Sequence, residues 1–115
     1  VVFQKNILSR FDFSSSLIMK EQFIGNKMIE LLRRRDLKAV EQIYELYSPV
    51  LLAICMRYFK RRDVALDVMH EGFMKALESI HSYKNKGSFE GWLKRIIVNH
   101  SIDTLKKEKN TNTMI

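Results

Sequence analysis

A single cysteine leaves no partner for an internal disulfide and no second thiolate for a zinc site, so Cys55 reads as a core residue of a protein held in a reducing cytoplasm. One proline and four glycines in 115 residues are too few for a loop-rich or all-β chain, which makes one helical domain with a modest core the default. No stretch approaches the roughly 18 consecutive apolar residues of a membrane span. No N-terminal apolar run leads to a small-residue cleavage site, so the sequence also argues against secretion. Catalytic patterns are missing as well. His70, His81 and His100 do not make H-E-x-x-H, because Met74 stands four residues after His70, and neither a Gly-rich phosphate loop nor a nucleophile motif occurs. The sequence predicts no enzyme, no metal and no cofactor.

What the chain does have is positive charge, +7 at neutral pH, and the charge is unevenly placed. Residues 63–80 carry one Lys against four acids, whereas residues 81–109 carry seven Lys or Arg against three acids. Adjoining segments of opposite sign fit two different partners, one of them anionic.

Helical spacing organises the chain from residue 19 to residue 109. The first 18 residues lack steady periodicity and do not begin with Met, so they are set apart as a disordered or artificially added lead; residues 110–115 are set apart as a linker stub. Met28, Ile29, Leu31 and Leu32 predict a short helix to Arg34, and the Arg33–Arg35 triplet reads as cations compensating the helix dipole rather than as a DNA contact. Asp36 is placed to cap a second helix with Leu37, Val40, Tyr44 and Tyr47 as its core stripe. Ser48-Pro49 predicts the start of a separate, mostly apolar helix to about Lys60. Asp63 then caps a helix running to Ile80, whose apolar arc includes Ala65, Val68, Met69, Phe73, Ala76 and Leu77. The opposite side of that helix aligns Asp67, Glu71, Met74 and Glu78. Acids stacked at this spacing repel, and an apolar Met among them suits an interface with a cationic partner.

Residues 81–88 read as a loop, with Ser88 capping the last helix. In that helix Phe89, Trp92, Leu93, Ile96 and Ile97 form the anchoring arc, while Arg95, Asn99, Ile102 and Lys106 share one exposed stripe. Cations with an amide and apolar side chains are what an unpaired nucleic-acid strand needs: charge for the sugar-phosphate track, a face for unstacked bases, and groups to read their edges. Tyr83, Lys84, Asn85, Lys86 and Ser88 in the loop, with Arg95, Asn99, Lys106 and Lys107 on the helix, are the candidate DNA-binding residues.

The pattern F-x-x-W-L-x-x-I-x-x-N-x-x-I-D-x-x-K-K-x-K, from Phe89 to Lys109, resembles the end of region 2 in bacterial RNA polymerase sigma factors of the extracytoplasmic-function class. The resemblance extends back through ALDVMHEGFMKAL (Ala65 to Leu77) to LYSPVLLAICMRY (Leu46 to Tyr58). It implies an all-α bundle of four to five helices that binds core RNA polymerase and recognises and melts the promoter minus-ten element. The loop would hold a flipped base of the non-template single strand. It further implies that Asp67, His70, Glu71, Met74 and Glu78 dock on the β′ clamp helices, and that an anti-sigma factor is a partner. No membrane is involved.

Three departures from the family pattern stand out. His70 occupies the usual place of Gln, so protonation would make that part of the dock cationic and weaken it in mild acid. Val98 removes one expected basic contact. The family's second domain, a helix-turn-helix for the minus-35 element, does not follow, so the chain is expected to be an excised domain. Two other readings keep the residues and change the function: a helical protein-interaction adaptor with a solvated basic helix, and a duplex-reading helix-turn-helix regulator. The latter is weaker because no short Gly-containing turn separates two helices before the basic segment.

Overall fold

The computed structural model describes residues 25–84 and 87–114, with side chains through Lys109. The expected lead at residues 1–18 and the loop residues Asn85 and Lys86 lie outside the described residues. Every described element is helical: α1 (Asn26–Arg33), α2 (Leu37–Met56), α3 (Arg62–Glu78), a 3-10 turn (Ile80–Ser82) and α4 (Phe89–Met114). No helix among the described residues is long and apolar enough to cross a membrane.

α1 buries Ile29 and Leu32 and ends in a tight reversal. The Arg35 N–H donates to the Leu32 carbonyl and the Asp36 N–H to the Leu31 carbonyl, each at 3.0 Å. This double closure requires a left-handed residue just past the helix end, and Arg35 supplies it at φ 60°, where glycine is the usual choice. Asp36 then caps α2 by accepting from the Ala39 N–H at 3.0 Å.

α2 is one continuous helix of 20 residues where the sequence suggested two. Pro49 lies inside it, exposed to solvent, and does not open a new helix. A proline here removes one backbone hydrogen bond and crowds the preceding turn, at a cost of about 3 kcal/mol. Tyr47 and Leu51, both fully buried on either side of it, hold the axis in line. The buried line is Ala39, Ile43, Tyr47, Leu51 and Cys55 rather than the stripe expected from Leu37. Leu37 and Cys55 are about five turns apart and point the same way. Cys55 is covered by α4, with its Sγ 3.6 Å from the Ser101 Oγ, whereas Leu37 at the open end of the helix is 81 % exposed.

α3 starts at Arg62 with Arg61, not Asp63, in the capping position. Asp63 sits inside the first turn, accepts from the Val64 N–H at 3.0 Å and receives two hydrogen bonds from the Arg61 guanidinium at 2.7 and 3.2 Å. Those Arg61 bonds hold the Asp63 carboxyl below its usual range. Ala65, Val68, Met69, Gly72, Phe73, Ala76 and Leu77 face inward, as the periodicity required. Gly72 permits the closest approach to α4: a Cβ there would lie 2.7 Å from Ile97 Cδ1. Ser88 does cap α4, its Oγ accepting from the Gly91 N–H at 2.9 Å. The helix continues through residues 110–114, which the sequence had assigned to a linker.

Candidate nucleic-acid interface

The loop between the 3-10 turn and α4 is held at both ends. Tyr83 is buried, with its ring edge-on to Phe89 at 5.6 Å between centroids and tilted against Trp92 at 5.4 Å. Its hydroxyl donates to the Gly87 carbonyl at 3.1 Å, and its own carbonyl accepts from Arg33 Nη2 at 3.0 Å. Gly87 has φ 78°, a conformation that favours glycine, and brings the chain round to Ser88. Tyr83 was expected to supply a group for an unstacked base; it is instead the post that fixes the loop, because its ring packs against Phe89 and Trp92 of the anchoring arc. Lys84 and Ser88 are exposed at the two sides of Asn85 and Lys86.

From Ser88 the helix carries the site onward. At about 100° per residue, Ser88, Arg95, Asn99 and Lys106 fall within a narrow strip about 27 Å long. Arg95, Asn99 and Lys106 are exposed along it, and Ile102 is half-buried among them. Lys107 is exposed but turned about 100° from the strip. The opposite face of α4 supplies the anchor: Phe89, Leu93 and Ile97 are buried, and Trp92 and Ile96 are partly buried against the same core. Loop and strip thus share one rigid base.

A second face, on α3, displays Asp67, His70, Glu71, Met74 and Glu78, all exposed; Met74 is 49 % exposed. Two of these residues are tied to neighbouring helices. His70 Nε2 lies 2.6 Å from the Tyr44 hydroxyl of α2, and the Tyr44 ring packs edge-on to Phe73. Glu71 Oε1 lies 3.1 Å from His100 Nε2 of α4; a carboxylate only accepts, so that nitrogen carries the proton. Sequence reasoning found the acids but missed Tyr44, His100 and Arg33. Only an exposed Tyr–His pair or a basic helix end could have signalled these cross-helix partners, and neither has a fixed spacing. Among the described residues no group of three or more His, Cys, Asp or Glu side chains is arranged to hold a metal ion.

The family model described as Sigma-70 region 2 matches residues 43–111. The chain belongs to the sigma-70 region 2 family. Among curated proteins, it is 35 % identical over 81 residues to the ECF RNA polymerase sigma-E factor of Haemophilus influenzae, covering 70 % of this chain and 42 % of that protein. It is 34 % identical over 61 residues to the RNA polymerase sigma factor SigV of Bacillus subtilis, covering 53 % of this chain and 37 % of that protein. The match therefore spans less than half the length of these relatives, the first of which carries the ECF name. Among solved structures, it is similar to an engineered region 2 of sigmaE in complex with GTAAAA. The TM-score is 0.66 and the identity 27 %, covering 73 % of this chain and 87 % of that one.

Proposed function

We propose that this region 2 domain acts in transcription initiation, holding the non-template strand of the promoter minus-ten element while docked on core RNA polymerase. The observation that carries the reading is the continuity of the pinned loop with the Ser88–Arg95–Asn99–Lys106 strip: a place for one unstacked base beside a track for the strand. The engineered region 2 of sigmaE in the similar structure is in complex with GTAAAA, which supports a nucleic-acid-binding assignment here. Lys84, Asn85, Lys86 and Ser88 are assigned to the base, Tyr83 sets the shape of the loop from below, and Arg95, Asn99, Lys106 and Lys107 meet the strand. Asp67, His70, Glu71, Met74 and Glu78 are the dock for the β′ clamp helices. The work is done in the cytoplasm by binding alone, with no covalent chemistry, and an anti-sigma factor would act by covering one of these faces.

The test uses polymerase assembled with this chain. Single-stranded non-template DNA carrying the minus-ten element should bind more tightly than the same sequence as a closed duplex, because the unpairing cost is already met. Replacing Asn85 and Ser88 with Ala should lower discrimination between bases. Equal binding to intact duplex, with no base preference lost on altering the loop, would replace this reading with the duplex regulator or the adaptor.

A further inference from the structure

The reversal between α1 and α2 is built around an arginine that the backbone disfavours. Arg35 occupies the left-handed position of the helix stop, where a side chain is strained and glycine is the usual residue. Residues kept in such conformations point to a use for the side chain. The adjoining Arg34 is exposed, its side chain 73 % accessible and only loosely paired with Glu30 at 3.7 Å, and Lys38 is exposed in the first turn of α2. Arg33, by contrast, turns inward, and its bond to the Tyr83 carbonyl fastens this corner to the root of the loop.

We infer that Arg34 and Arg35 form a phosphate-binding corner for the single strand where it leaves the loop, on the side away from α4. The inference rests on the strand-binding reading above and extends its track. The strip on α4 begins at Ser88 and runs off in one direction; a strand with a base held between Lys84 and Ser88 must also continue in the other. The α1–α2 corner borders the loop through Arg33. It offers two exposed guanidinium groups, which suit phosphate oxygens. The ligand chemistry is the sugar-phosphate backbone, with no base preference.

The experiment measures binding of labelled non-template oligonucleotides to polymerase assembled with this chain. The probes are the minus-ten element alone and the element lengthened by four nucleotides of mixed sequence at its 5′ or its 3′ end. The variant is Arg34→Ala with Arg35→Gly, chosen because glycine suits the backbone at position 35, so the fold is retained. In the parent, lengthening at one end should tighten binding several-fold and steepen the log-log salt dependence by about 0.7 per added phosphate contact. The variant should lose that gain while binding the unlengthened element and the other extension as the parent does. Asn85→Ala with Ser88→Ala should show the converse, losing base discrimination but keeping the gain. That contrast separates failure of the corner from failure of the base pocket. The inference is overturned if neither extension tightens binding, if the gain survives in the arginine variant, or if that variant loses polymerase association, which would make the corner a protein contact.

Discussion

Arg35 and Cys55 show how single side chains here answer to different demands. Arg35→Gly removes a left-handed side chain from a helix stop whose two closing hydrogen bonds remain, and should stabilise the domain by about 1 kcal/mol in urea unfolding. No gain would mean that the Arg35 side chain makes compensating contacts within the domain. Cys55 is fully buried against Ser101, and burial pushes its thiol above the ordinary value of 9.0, partly offset by the Ser101 hydroxyl. The folded-state value exceeds the unfolded one, so the folded state holds the proton longer. Stability from this group is intact below the unfolded value and declines as pH rises through the folded one. Alkylation of Cys55 at pH 8 should therefore follow global unfolding, and alkaline pH should destabilise the parent more than a Cys55→Ala variant. Rapid labelling of the native protein would show that α4 opens locally away from α2.

At the scale of elements, α3 separates two kinds of acidic residue that look alike along its stripe. Asp67 and Glu78 are exposed, whereas Glu71 also joins α3 to α4 through His100. Asp67→Lys with Glu78→Lys should abolish association with core polymerase in co-sedimentation and leave thermal unfolding unchanged. Unaltered association in the folded variant would remove α3 as the dock. Glu71→Lys should reduce association and stability together, since it places a cation beside His100. Gly72 belongs to the same face of contact: Gly72→Val would drive branched atoms into Ile97 and should cost about 1 to 3 kcal/mol of overpacking, read from the urea midpoint.

For the whole molecule, the loop that carries the proposed base pocket is not an independent unit. Its root is fastened by α1 through Arg33, its underside by Tyr83 against Phe89 and Trp92, and its exit by the Ser88 cap of α4. Arg33→Ala should therefore blunt discrimination between bases even though Arg33 does not face the strand, with only a small change in melting temperature. A variant that lost affinity for every sequence alike, with discrimination retained, would instead assign Arg33 to a phosphate.

What the sequence determined by itself was whatever repeats at helical spacing or depends on near neighbours. The inward faces of α3 and α4, the Ser88 cap, the acidic stripe and the Arg95–Asn99–Lys106 strip all follow from side chains a few positions apart on one helix. Local rules failed where distant burial outweighed them. Ser48-Pro49 has the form of a helix start, yet Tyr47 and Leu51 pack into one core and keep α2 unbroken. Leu37 has the right angle for the core but lies beyond the helices that would cover it. Tyr83, set in a polar loop, reads as exposed until Phe89 and Trp92 fold against it. The bonds joining Arg33 to Tyr83, His70 to Tyr44 and His100 to Glu71 cross between helices. Their formation depends on where the packed helices bring those side chains, which only the tertiary structure decided.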